Sequence, residues 1–341
     1  MKRRTLFFMG LSGLAGCSGR RKKRLNVFNW SDYVGPNTIA RFEYDHDAEV
    51  KYLVYESNEE MLAKVFSGNS GWDVVFPSNY YVQPMAESHL LAPLDRSLLT
   101  NLGNLAEAFR APGWDPKLEW CVPYMWGAAG IAYNKRVSPP PKAWADLWDK
   151  RFGGRMTMLD DAAEALGAAL KMLGLPLNSP DAGHLDRAKR ELIRQKPLVR
   201  AYLNAEARDQ LVAGDLLASQ LWATTTSQAM EASNSLEFVF PEEGFSVYAD
   251  CAVILRESDQ HELAHQFLDY LLRANVAASI VQHSKTATVN EAGRLLLPPA
   301  LGKNPVLYPP AGILSRGEWF APLPPAAQRL RDRLWTEIKS A

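Results

Sequence analysis

Short apolar runs alternate with amphipathic segments along most of this chain, and that alternation restricts the fold more than any other feature. Leu25-Asn26-Val27-Phe28-Asn29-Trp30 reads as a buried strand, a helix follows Pro36, and 50–54 reads as a second strand. Ser57-Asn58-Glu59-Glu60 has the form of a capping box opening a helix through Val65. A third strand is predicted over 72–77. The long apolar run 122–133, interrupted by glycine, suits a chain passing between lobes. The rhythm continues with a helix at 143–148, a strand at 155–159, helices at 162–173 and 184–195, and strands at 217–222 and 238–241. A strand returns at 247–255, Ser258 caps a helix to about Arg273, and a last helix begins at Pro325. Such alternation predicts α/β lobes with largely parallel sheets. At 341 residues the chain exceeds what one core usually holds, so two lobes are expected.

The first seventeen residues read as a separate object. Lys2, Arg3 and Arg4 precede a short apolar stretch, too short to span a bilayer, that ends Leu14-Ala15-Gly16-Cys17. This is the pattern of a signal peptide with a lipobox, in which Cys17 carries the lipid; the alternative is a chance cysteine in a hydrophobic N-terminus. Arg20, Arg21, Lys22, Lys23 and Arg24 follow as a basic tether over 18–24. They either face anionic headgroups or form a solvated linker. The whole chain carries 38 basic and 38 acidic residues; without the eight basic residues of 1–24 the balance is 30 against 38, a net −8. That argues against a nucleic-acid partner and for a cationic ligand. Cys121 and Cys251 lie in two apolar strand-like runs, where two buried free thiols are expected ahead of a disulfide.

One catalytic pattern stands out in the text. His261-Glu262-Leu263-Ala264-His265 fits the His-Glu-x-x-His of zinc peptidases. Helical spacing puts Leu263, Ala264, Phe267, Tyr270, Leu271 and Ala274 on one face and both histidines on the opposite, solvent side. The expected reading is therefore an ordinary amphipathic helix with no metal, no cofactor and no catalytic residue. There is no glycine-rich phosphate or dinucleotide loop.

In α/β sheets ligands sit at the carboxyl ends of strands. The residues around the predicted strand ends here are acidic and aromatic: Trp30, Ser31, Asp32 and Tyr33; Ser78 and Tyr80; Asp160, Asp161 and Glu164; and Trp222, which ends its strand with Thr224 to Thr226 behind it, while Tyr248 and Asp250 lie on the returning strand. Carboxylates neutralise ammonium groups, and aromatic faces cover methylene spacers and attract cations. The set fits a polyamine. Each tryptophan could equally be a core residue, and one of Asp160 and Asp161 is expected to cap the helix at Ala162, with Asp160 favoured.

With these residues in place, the chain resembles the spermidine/putrescine-binding proteins of bacterial polyamine importers over about residues 25–336. The matching stretches include Asn29-Trp30-Ser31-Asp32-Tyr33-Val34, Tyr55-Glu56-Ser57-Asn58-Glu59, Pro77-Ser78-Asn79-Tyr80-Tyr81-Val82 and Pro123-Tyr124-Met125-Trp126-Gly127. Others are Ala143-Trp144-Ala145-Asp146-Leu147-Trp148, Asp160-Asp161-Ala162-Ala163-Glu164, Leu307-Tyr308-Pro309 and Gly317-Glu318-Trp319. The resemblance implies an α/β, two-lobed periplasmic-binding-protein fold with two crossing hinge strands. Lobe one would be 25–126 with 248–295, and lobe two 127–247 with 296–341.

The resemblance also implies an aromatic box of Trp30, Tyr33, Tyr80 and Trp222, and ammonium-binding acids Asp161, Glu164 and Asp250. Ser31 and Asp32 would lie near the other ligand end, with Asp where Glu is usual; Ser78 would supply a hydroxyl, and Tyr248 would stand where Trp is common. Thr286, after Lys285, takes the place of a frequent Tyr, and Phe320 that of a frequent Gln. The implied protein is a monomeric, membrane-anchored extracytoplasmic lipoprotein that passes a polyamine to the permease subunits of an ABC importer. A sensor that binds the same amine for a signalling receptor is the alternative, and a zinc hydrolase built on His261 and His265 a remote one.

Overall fold

The computed structural model describes residues 22–341, so Cys17 and the apolar leader lie outside the described residues. β1 (Lys23–Trp30) and β2 (Ala48–Tyr55) pair in parallel through eight positions, from Lys23 opposite Ala48 to Trp30 opposite Tyr55. α1 (Thr38–His46) makes the crossover between them. α2 (Asn58–Val65) comes next, with Ser57 accepting from the Glu60 amide as expected of an N-cap. β3 (Val74–Val75) lies parallel on the other side of β1, and α3 (Asn79–Glu87) comes after it.

β4 (Val122–Asn134) is buried at every position. Beyond it come β5 (Met156–Met158), α4 (Ala162–Met172), α5 (Ala182–Gln195), β6 (Val199–Tyr202), α6 (Ala207–Ala213), β7 (Ala218–Trp222), α7 (Ala223–Ala232) and β8 (Leu236–Val239). β9 (Phe245–Ile254) then returns, followed by α8 (His261–Leu271), α9 (Ala274–Ser284), β10 (Ala287–Thr288), β11 (Gly317–Trp319) and a C-terminal helix, Pro325–Ser340.

Strands run in the order β2-β1-β3-β9-β4-β7-β5-β6, with β4 and β9 antiparallel at the centre. β4 pairs with β9 along Val122–Ala128 and with β7 and β8 along 129–134. β9 likewise turns from β11 at Phe245 to β3 at Ile254. These two strands therefore belong to both lobes of the two-lobed fold. Cover on both faces explains why β4 is apolar throughout instead of alternating. Gly130 is required at the crossing, since an added Cβ would come within 2.6 Å of the Val239 carbonyl and 2.5 Å of the Phe238 ring.

Several expectations need correction. β1 starts at Lys23, so the basic segment does not run free to residue 24. Lys22, Lys23 and Arg24 pair with Asp47, Glu262 and Glu49 at 3.2, 3.3 and 3.9 Å. The third strand is two residues long instead of six. The segment at 143–148 is a 3-10 turn, Trp144–Trp148. β6 is a strand that the sequence does not announce, because Val199-Arg200-Ala201-Tyr202 lacks an alternating pattern. Ser258 does not cap α8; it accepts from the Gln260 amide and donates to Asp73 at 2.5 Å, and α8 begins at His261.

His265 is also not on the solvent side. It is buried, its Nε2 accepts from the Asp95 amide at 2.8 Å, and its Nδ1 contacts the His261 carbonyl at 2.7 Å. Both ring nitrogens are thus committed to backbone, which leaves none for zinc. Cys121 and Cys251 are free and buried. Pro123 stands opposite Cys251, so Cys121 is a diagonal neighbour of Cys251 across the β4–β9 pair, and burial with the adjacent Cys251 thiol pushes the Cys121 thiol up.

Gly130→Ala is expected to lower stability by about 1–3 kcal/mol in urea unfolding, because the contact is with backbone and cannot relax. Gly113→Ala, with nothing within 4 Å of the added carbon, is the neutral control.

Candidate functional site

The carboxyl ends of the strands meet around a cavity of about 790 Å³, counted with the space open to solvent at its mouth. Trp30, Ser31, Asp32, Tyr33, Ser78, Tyr80, Asp161, Glu164, Trp222, Tyr248 and Asp250 all line it. β9 supplies the spine: Ser246, Tyr248 and Asp250 are two residues apart and share one face of the strand. Gly127 lies opposite Tyr248, and a Cβ there would sit 2.7 Å from the phenol oxygen, so the missing side chain is what lets the ring cross β4.

Asp250 is buried and held by two donors from different elements. Ser78, at the head of α3, donates to one oxygen at 2.8 Å, and Tyr33, after β1, donates to the other at 2.7 Å. Asn58 at the start of α2 donates in turn to the Ser78 hydroxyl at 3.0 Å. Glu164, in the first turn of α4, accepts from the Trp222 indole at 3.2 Å and from Ser246 at 2.6 Å. Trp222 is therefore a positioning residue at the cavity as well as a packing one. Trp30 donates to the Phe76 carbonyl at 2.8 Å and packs on Tyr55. Tyr80 packs on Phe320 across the cavity edge, ring centroids 5.2 Å apart.

Asp161, not Asp160, caps α4: its side chain accepts from the Glu164 amide at 2.9 Å. Asp160 instead pairs with Lys339 on the C-terminal helix at 2.9 Å. The preference for Asp160 fails because sequence spacing does not tell which of two adjacent acids takes the cap. Asp161 also lines the cavity. Lys285 is turned away, paired with Glu231 at 3.1 Å. Asp32 is exposed at the mouth with a left-handed backbone, φ 58°.

Glu56, Asn58, Ala205, Thr224, Thr225 and Gln228 line the cavity too, although the sequence reading does not single them out as binding residues. The threonines come directly after a strand end, which is the available signal. Glu56 and Asn58 stand after β2, whose carboxyl end points at the same mouth.

Burial pushes the Glu164 carboxyl up from 4.5 to about 8, with neighbouring Asp161 adding to it and Ser246 and Trp222 opposing. Burial likewise raises Asp250 to about 6, against the pull of Tyr33 and Ser78. Among the described residues neither carboxylate is paired with a lysine, arginine or histidine within 4.0 Å. The site is an aromatic-walled groove holding two buried acids that lack a basic partner.

Residues 37–300 match the family described as bacterial extracellular solute-binding protein. The chain belongs to that family. A spermidine/putrescine-binding periplasmic protein of Salmonella typhimurium is 32% identical over 90% of this chain and 89% of its own length. The putrescine-binding periplasmic protein PotF of Escherichia coli is 31% identical over 95% of this chain and 94% of its own. A solved structure described as a putative spermidine/putrescine ABC transporter from Listeria monocytogenes superimposes with a TM-score of 0.90 at 29% identity, covering 93% of this chain and 99% of that one. Members of this family of solute-binding proteins serve transport, not catalysis.

A carboxyl that titrates higher in the folded than in the unfolded chain stabilises the fold below the unfolded value. That contribution is lost as pH rises through the folded one. The ligand-free protein is therefore expected to lose thermal stability between about pH 4 and pH 8, through Asp250 first and then Glu164. Glu164→Gln should flatten the upper part of that profile. A melting temperature that climbs over the interval would contradict the assignment.

Proposed function

We propose that this solute-binding protein captures a polyamine, of the spermidine or putrescine class, between its lobes and delivers it to the permease subunits of an ABC importer. The observation that carries the reading is the pair of buried carboxylates, Glu164 and Asp250, facing one aromatic-walled cavity. A polyammonium ligand supplies a charge at each and presents methylenes to Trp30, Tyr33, Tyr80, Trp222 and Tyr248. Asp161 and Asp32 add negative potential, Ser31 lines the same mouth, and Ser78 fixes Asp250. The relatives named for spermidine and putrescine support the same class.

Binding is closure. The acids are supplied by segments on both sides of β4 and β9, so a ligand that bridges them stabilises the closed arrangement over the open one. The importer then reads the closed shape. The leader ending in Cys17 makes the protein an extracytoplasmic lipoprotein held at the membrane, acting as a monomer.

The test is calorimetric titration of the protein from Lys22 onward with putrescine, cadaverine, spermidine and spermine. One saturable site per chain for at least one amine is expected, and no binding by folded, ligand-free protein sinks the proposal. Glu164→Ala and Asp250→Ala should each cost about 2–5 kcal/mol of binding energy, since each leaves an ammonium without its partner. A cation arriving at Glu164 also favours the ionised carboxyl. Binding near pH 7 should therefore release up to about one proton, read as a dependence of the heat on the buffer, and Glu164→Gln should abolish most of it.

A further inference from the structure

One face of the molecule carries the opposite charge to the rest. Segment 182–200, which holds α5 and β6, has six basic residues and two acidic ones; the C-terminal helix, 325–340, has four and two. The two lie side by side. Lys189 reaches Glu337 at 3.1 Å, and the Lys196 ammonium donates to the Ile338 and Lys339 carbonyls at 3.0 and 2.8 Å. Together they hold ten basic residues against four acidic, a net +6. The chain from residue 25 onward is −8, so everything outside this face carries −14.

Helical spacing concentrates the charge. Leu185, Ala188, Leu192 and Gln195 are buried against the lobe, and Arg187, Arg190 and Arg194 stand together on the opposite side of α5, within about 10 Å along its axis. Arg187, Arg200 and Arg329 are exposed, and among the described residues none of them has a carboxylate within 4.0 Å. Arg190, Arg194 and Arg333 have acidic neighbours, but their side chains are 67%, 67% and 69% exposed, where pairing neutralises little. The face also lacks an apolar centre: among the exposed large hydrophobic residues only Ile193, at 37%, falls in either segment. Protein interfaces form round an apolar core from which charge is depleted. Arginines spread over a surface with no such core suit a layer of phosphate groups, which guanidinium ions grip through paired N–H donors.

We propose that the face formed by α5 and the C-terminal helix docks on an anionic lipid surface and turns this lobe toward the bilayer. The same headgroups repel the acidic remainder, so the contact selects one orientation of the body. This deepens the membrane-held reading above; its test is run without the leader, so its failure is distinct from a failure of lipidation or of amine binding.

The experiment is co-sedimentation of the protein from Lys22 onward with vesicles of phosphatidylcholine, alone or mixed in equal parts with phosphatidylglycerol. Binding to the mixed vesicles only is expected, weakening at least about fivefold when salt is raised from about 20 mM to about 200 mM. Arg187→Gln, Arg200→Gln and Arg329→Gln together should weaken it by about tenfold or more. The same charge removed elsewhere from exposed positions, by Lys117→Gln, Arg256→Gln and Lys303→Gln, should change it less than about threefold. None of these six residues lines the cavity, so both variants should keep wild-type amine affinity, which also shows that they are folded. No binding to the mixed vesicles, or equal loss in the two triple variants, overturns the proposal and leaves the polyamine reading standing. Retention by permease subunits in neutral lipid, lost in the first variant and without vesicle binding, assigns the face to a protein partner and overturns it too.

Discussion

Glu164 and Asp250 keep carboxylates out of water without a cation beside them among the described residues, and much of the surrounding structure exists to hold them there. A buried ionised carboxylate with no partner is costly, and hydrogen bonds offset only part of the cost. Each acid is therefore gripped by donors drawn from distant points of the chain. Tyr33 and Ser78 reach Asp250 from sequence separations of 217 and 172 residues. Trp222 and Ser246 reach Glu164 from 58 and 82. The remaining deficit is electrostatic, and either a proton or a bound cation removes it. That deficit lifts both carboxyls above their ordinary range.

The scaffold that makes this possible is the antiparallel pair β4–β9. A strand face repeats every second residue, so Tyr248 and Asp250 face the cavity and Ser246, in the same series, holds Glu164, while Val247, Ala249 and Cys251 go to the other face. Because β4 continues from one lobe into the other, Gly127 and Gly130 do different work on the same strand. The first gives space to the Tyr248 ring and the second lets the β8 backbone approach. Binding geometry is thus set on two strands shared by both lobes, and the loops at the strand ends bring the walls.

Much of this is legible in the sequence because strand-end position and side-chain chemistry are both local. Trp30, Tyr33 and Tyr80 can be placed near one cavity from their positions at or just past the apolar runs. Competition between neighbours is not legible. Asp160 and Asp161 are equivalent as caps until the C-terminal helix brings Lys339 beside the first. His265 looks solvent-facing from the helical period alone, yet the loop bearing Asp95 packs over it and donates a backbone amide to its ring. β6 is invisible for the opposite reason: its side chains are mixed and mostly half-buried, and pairing with β5 makes it a strand. Ser246 escapes notice because a serine inside an apolar strand means nothing until Glu164 is set against it.

The treatment of the chain's own cations obeys the same logic. A lysine able to reach Glu164 or Asp250 would lower the cost of the empty site and would have to be displaced by every ligand. The nearby lysines are instead spent elsewhere: Lys285 on Glu231, Lys339 on Asp160, and Lys171, from the same helix as Glu164, on Glu318 at 3.2 Å. Arg331 comes closest, a buried guanidinium on the C-terminal helix that tempers Asp161 while donating to Gln328 at 2.8 Å. Asp161, already capping α4, can tolerate that partial neutralisation. Among the described residues Glu164 and Asp250 receive none within contact distance, and so two buried acids face the cavity with no internal counter-charge.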